Sequence, residues 1–207
     1  MYARIGLGIV AAAGLLAIAW GIAFGPPTAI GEPDLVWGQR GVRDGDLARP
    51  RAATITGDGR LWIVDFTARI QAFDLDGNHL GITFTPPDFR NGRPSGLGTD
   101  NRGRLVVADS HYHTVRVYEP DGTEALHFGG PQLFGYVSDA VQDADGFWFV
   151  SEFGTRDRIT KLAADGTVVK SWGESGGNPG QFNRVRALAL GPDGHLYVAD
   201  ACNHRIQ

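Results

Sequence analysis

Short apolar runs, each closed by an acid, recur along the chain. They read Leu61-Trp62-Ile63-Val64-Asp65, Leu105-Val106-Val107-Ala108-Asp109, Trp148-Phe149-Val150-Ser151-Glu152 and Leu196-Tyr197-Val198-Ala199-Asp200. Apolar runs this short, bounded by turn signals, predict strands with both faces covered. A glycine precedes each run: Gly59, Gly103, Gly146 and Gly194, spaced 44, 43 and 48 residues apart. A strand-built repeat of that length predicts a propeller blade. In the second copy the polar breaks delimit four strands, near 95–99, 104–109, 114–119 and 124–128. Asp121-Gly122 and Asp165-Gly166 supply tight hairpins between the third and fourth strands of their copies. A four-stranded antiparallel sheet cannot bury both faces alone, and radial stacking around an axis solves this. The expected fold class is therefore all-β: a β-propeller of four-stranded antiparallel blades.

The amino terminus follows a different pattern. Residues 5–24 hold no charge, and about 20 apolar residues match the thickness of a bilayer core. Gly25-Pro26-Pro27 then stops any helix. Arg4 lies before the run, and Glu32 and Asp34 lie after it. The positive-inside rule places the rest of the chain outside the cytoplasm. The resulting organisation is a cytoplasmic stub (1–4), a transmembrane anchor or uncleaved signal (5–24), a linker (25–33) and a partial propeller (34–207). Ala17-Ile18-Ala19 resembles a cleavage site, so a secreted or periplasmic product is the rival to a single-pass protein of the cytoplasmic membrane.

Composition narrows the partners. Thirty glycines and 10% aromatics suit short strands joined by turns. The net charge is −4, and Lys161 and Lys170 are the only lysines, which argues against nucleic acid as a partner. Cys202 stands alone, so no disulfide within the chain or cysteine-based zinc site can form.

Tyr197-Val198-Ala199-Asp200-Ala201-Cys202-Asn203-His204-Arg205-Ile206-Gln207 and Ser171-Trp172-Gly173 leading to Pro179-Gly180-Gln181-Phe182 resemble the NHL-repeat propellers, as does, more loosely, Trp37-Gly38 leading to Gly45-Asp46-Leu47. The resemblance runs from about Val36 to the end. It implies a six-bladed, TolB-like propeller of a membrane-anchored bacterial type, and a structural role for His204. The copies in hand then read as about four of six blades, with residues 34–38 as an outer strand preceding the first full copy. Members of this family include scaffolds, RNA binders and metal-dependent lyases, so the fold does not select an activity.

Antiparallel order puts the a–b and c–d turns of each blade on one face, and the b–c and d–a loops on the other. The second face carries the long loops 85–93, 129–136, 173–184, 110–113 and 153–157, where binding on a rigid scaffold concentrates. Candidate binding residues there are Arg51, Phe89, Arg90, His111, Tyr112, His113, Asp139, Glu152 and Arg186. His111 and His113 have a spacing that binds zinc or copper when a third ligand converges. Asp139 breaks a series of small residues (Ala52, Gly96, Ala187) on the inner strands; a carboxylate there can hold a metal or a cationic group, and the favoured expectation is that it pairs with Arg51 or Arg186. Arg69, Arg158 and Arg205 follow the repeat acids and are expected to brace their own loops. The strings 74–77 and 143–146 lack the remaining ligands of a calcium loop and read as turns.

The leading functional expectation is a membrane-tethered recognition scaffold whose long-loop face meets a protein, peptide or glycan. The alternative is a metal-dependent lyase or lactone hydrolase with its site on the channel axis. A divalent metal is required only by that alternative, and no catalytic residue is assigned.

Overall fold

The computed structural model describes residues 33–207. The apolar span 5–24 lies outside the described residues, and among those described no helix is long and apolar enough to cross a membrane. The unit 37–207 contains four antiparallel sheets. Blade 1 comprises β1 (Pro50–Ile55), β2 (Leu61–Asp65), β3 (Ile70–Phe73) and β4 (His79–Phe84). Blade 2 comprises β5 (Gly96–Thr99), β6 (Leu105–Asp109), β7 (Thr114–Tyr118) and β8 (Glu124–Gly129). Blade 3 comprises β9 (Tyr136–Gln142), β10 (Trp148–Phe153), β11 (Arg158–Leu162) and β12 (Val168–Trp172). Blade 4 has three strands, β13 (Val185–Leu190), β14 (Leu196–Asp200) and β15 (Arg205–Ile206).

The apolar runs become the second strand of each sheet, and their period-2 alternation feeds two interfaces at once. From β6, Leu105 and Val107 pack with Trp62, Val64, Ile70 and Tyr118 between blades 1 and 2. Val106 and Ala108, on the opposite face, pack with Phe128, Trp148, Val150 and Leu162 between blades 2 and 3. A third cluster, Ile159, Phe182, Val185, Leu188 and Val198, joins blades 3 and 4. Fully burying one such aliphatic side chain contributes about 1.5–3 kcal/mol, so the core is distributed between sheets. The outer face of blade 4 is open, with Tyr197 44% and Ile206 66% exposed.

The first strands of the blades lie side by side, β1 by β5, β5 by β9 and β9 by β13. Crowding there explains the small residues. A Cβ on Gly96 would stand 2.7 Å from the Ser138 carbonyl oxygen of the next blade. Aromatic rings from outer strands, and from the segment before blade 1, lock the sequence of blades. Trp37, Phe84 and Phe128 lie over Gly77, Gly122 and Gly166, the turn glycines of blades 1, 2 and 3. Each of these glycines has φ between 85° and 87°, and a side chain there would meet both backbone strain and the ring.

Residues 34–38 form no strand; the only pairing nearby is an isolated bridge between Arg40 and Leu47. Trp37 nevertheless packs on Phe73 at a centroid distance of 5.0 Å, so the side chain holds its place without a backbone ladder. The turn reading of the acidic strings agrees with the structure. Asp74 Oδ1 accepts the amides of Asp76 and Asn78, and Asp143 Oδ1 accepts that of Phe147.

Candidate functional site

The repeat acids organise the long-loop face. Asp65, Glu152 and Asp200 are fully buried. Each accepts an amide from the loop entering its own blade: Ala48 to Asp65 at 3.1 Å, Gly135 to Glu152 at 2.6 Å and Asn183 to Asp200 at 2.7 Å. Each also pairs with the arginine at or just before the start of the third strand, Arg69 at 2.6 Å, Arg158 at 2.7 Å and Arg205 at 2.9 Å. Those arginines donate onward to loop carbonyls, such as Gly41 and Asp46 from Arg69, Leu133 from Arg158, and Gly177 and Gln181 from Arg205. The expected bracing is what the structure contains. Burial pushes the Asp65 and Asp200 carboxyls up. Hydrogen bonds from Thr67, Arg69 and Ala48 to Asp65, and from Asn183, Asn203 and Arg205 to Asp200, outweigh it and leave both below the ordinary aspartate value.

The sequence candidates for chemistry are largely occupied by this framework. Glu152 takes three hydrogen bonds, from the Gly135 amide, Arg158 and the Thr160 hydroxyl. His113 adopts φ 57°, bonds the Gly135 carbonyl through Nδ1 at 2.6 Å and stacks on Tyr136 at 5.2 Å. The Tyr112 hydroxyl donates to the Asp88 carbonyl at 2.8 Å, tying together two long loops.

Asp139 departs from expectation: it pairs with neither Arg51 nor Arg186. Its carboxylate accepts the amides of Leu188 in blade 4 and of Ala140, each at 2.9 Å. Burial pushes its pKa up to about 6, opposed by those two amides. The reason is local: a short side chain on the inner strand reaches the adjacent backbone before it reaches a rim arginine. Among the described residues no three His, Cys, Asp or Glu side chains gather at metal-ligand spacing.

What remains is a cavity of about 320 Å³ where three blades converge. Arg51 comes from β1, Arg90 and Arg93 from the β4–β5 loop, Ser110 and His111 from the β6–β7 loop, and Tyr136 from β9. Arg90 belongs to a single 3-10 turn (Phe89–Asn91), and Phe89 is 37% exposed beside it. The Arg93 guanidinium lies 3.8 Å from the centroid of Phe66, which fixes its plane by a cation–π contact. Burial lowers the Arg51 pKa, and the charges of Arg186 and Arg93 lower it further. No carboxylate lines the cavity. Arg93, Ser110 and Tyr136 were not among the sequence candidates. Register was the available signal: Arg49, Arg93, Tyr136 and Arg184 each stand three residues before the equivalent inner-strand positions Ala52, Gly96, Asp139 and Ala187.

Comparison with known proteins agrees with this architecture. The family model described as NHL repeat matches residues 91–118 and 182–207. A peptidyl-glycine alpha-amidating monooxygenase of Mus musculus is 33% identical over 134 residues, covering 55% of this chain and 13% of that protein. An NHL repeat-containing protein 3 of Homo sapiens is 30% identical over 113 residues, 46% of this chain and 30% of that protein. A solved streptogramin B lyase has a TM-score of 0.61 at 20% identity, over 77% of this chain and 50% of the lyase. The chain thus spans less than a third of either relative and half of the lyase. The solved structure shares the β-propeller arrangement of sheets, and the NHL repeat model matches the two stretches given above.

Proposed function

We propose that this protein is a membrane-tethered, extracytoplasmic recognition scaffold, in which the b–c and d–a loops form the binding face and a protein, peptide or glycan is the partner. The observation that carries this reading is the three-blade cavity with its exposed arginines. The opposite face supports it by contrast, because acids there are consumed by turn amides, as at Asp100, Asp121 and Asp193. In blades 1, 3 and 4 the acid–arginine braces hold the loop backbone of the recognition face from below while its side chains stay exposed, a rigid scaffold with a variable surface. The six-bladed closure and the anchor at residues 5–24 belong to the same proposal. Of the candidates of the metal-dependent enzyme alternative, Asp139, Glu152 and His113 are engaged in structural hydrogen bonds, and His111 lines the cavity.

Pull-down from solubilised membranes, with the whole chain as bait, tests the reading. A partner retained by wild type should be lost when residues 86–93 and 110–112 are replaced by short glycine–serine segments. Unchanged capture by that variant would remove the long-loop face from consideration.

A further inference from the structure

Blade 2 departs from its neighbours at one point, and the departure sits beside the cavity. Asp109 is the repeat acid of this blade and is 1% exposed. The residue opposite it on β7 is Thr114, where blades 3 and 4 have Arg158 and Arg205 in the same register and blade 1 has Arg69, whose carbonyl accepts the Asp65 amide. Thr114 cannot reach a loop, and its buried Oγ1 has no hydrogen-bond partner. The cation moves two residues along the strand to Arg116, which meets Asp109 at 3.2 Å. Arg116 then spends its other end on Glu124 of β8 at 2.7 Å, and not on loop carbonyls. Among the described residues the loop entering blade 2 sends no amide to Asp109, as Ala48, Gly135 and Asn183 do to the other acids; its backbone hydrogen bond comes from Tyr112, in the loop that follows it.

The consequence falls on the loop entering blade 2, residues 85–95. In the other blades the acid and its arginine draw that loop down onto the sheet. Here the loop stands free of the brace, and Arg90, Gly92 and Arg93 from it become a wall of the cavity. The other wall is Ser110 and His111, the two residues directly after the unbraced acid. A second repeat feature is altered at the same place. Arg93 and Arg184 lie over Phe66 and Phe153, the residues that follow the acids of the preceding blades. After Asp109 that residue is the small Ser110, so space opens in front of Tyr136 where a ring would stand.

Resting on the recognition reading above, we propose that this cavity binds an oxyanion, a carboxylate or phosphate group of a ligand, through Arg51, Arg90 and Arg93, with Arg186 adding charge. None of these four guanidinium groups has a carboxylate within ion-pair distance among the described residues; Arg40, Arg49, Arg102, Arg156 and Arg184 also lack one, but Arg51, Arg90 and Arg93 line one cavity and Arg51 feels the charges of Arg93 and Arg186. Cations gathered without counter-ions repel one another, and a bound anion reverses the sign of that energy. Guanidinium forks match carboxylate and phosphate geometry two bonds at a time. Ser110 supplies a hydroxyl and His111 a ring nitrogen at the rim. The volume suits a small ligand or a terminal group, being near the lower end of about 300–1,000 Å³ for ligand sites.

The test is calorimetric titration of the whole chain with inorganic phosphate and, separately, with citrate, at ionic strength held constant with sodium chloride. One of the two should bind saturably at one site per chain and raise the melting temperature by mass action. Arg51→Ala and Arg93→Ala should each weaken it on the order of tenfold, as expected for losing a hydrogen bond to a charged group. Arg102→Ala, on the tight-turn face, should leave it unchanged. All three side chains are at the surface, and matching circular dichroism verifies folding. No saturable binding of either anion, or equal affinity in Arg51→Ala, Arg93→Ala and wild type, overturns the inference. A membrane partner still captured by wild type in that case leaves the recognition reading standing, so the two fail separately.

Discussion

Asp139 shows how one side chain can serve a structural end that its position alone does not reveal. The carboxylate joins blades 3 and 4 through the Leu188 amide, and burial holds its pKa at about 6. A carboxyl that titrates higher in the folded than in the unfolded chain binds its proton more tightly when folded. Its contribution to stability is therefore complete below the ordinary aspartate range and is lost as pH rises through 6. A shift from 3.8 to about 6 corresponds to roughly 2–3 kcal/mol. Urea unfolding at pH 4 and pH 8 should show wild type losing about that much relative to Asp139→Ala; parallel pH profiles for the two would refute it. The residue was legible as an anomaly among Ala52, Gly96 and Ala187. Its partner was not, because a backbone amide in another blade leaves no trace in side-chain chemistry.

At the level of elements, the third strand of each blade decides whether the incoming loop is fastened. Blade 1 uses Arg69 with Gln71, whose amide nitrogen donates to the Asp46 carbonyl and whose amide oxygen accepts from Gly45. Blade 2 has Thr114 and Arg116 in those registers. Burial dominates at Asp109 and raises its pKa despite the Arg116 hydrogen bond. The double change Thr114→Arg with Arg116→Gln transplants the blade 1 arrangement. It should lower the Asp109 pKa in an NMR titration and slow amide exchange in residues 86–94, by about the effect of one added charge-assisted hydrogen bond. No change at either readout would show that the loop owes its freedom to something else. Strand positions were readable because the apolar runs and Asp-Gly turns mark them. Residues 34–38 were not, since the aromatic contact of Trp37 with Phe73 stands in for strand pairing.

At the scale of the molecule, stability comes from sheet-on-sheet contact and so varies from blade to blade. β6 is buried along its whole length, whereas β12 is exposed over most of its residues. Opening free energies should follow the same order. Native-state hydrogen exchange should find the amides of β6 and β10 slowest and those of β12 and β15 at least ~100-fold faster. Uniform exchange across the blades would mean that the unit opens as one body.

The repeat, its strands, the tight turns and the arginine braces were all determined by sequence alone, because each depends on residues close in the chain or repeated in register. Apolar period and turn chemistry are local, so four copies state them four times. The tertiary structure alone decided that Arg51, Arg93, Ser110 and Tyr136 share a cavity, and that Asp139 turns away from the arginines. Those contacts cross from blade to blade, where the distance between side chains is set by the angle and spacing of stacked sheets. No pattern within a single repeat carries that angle.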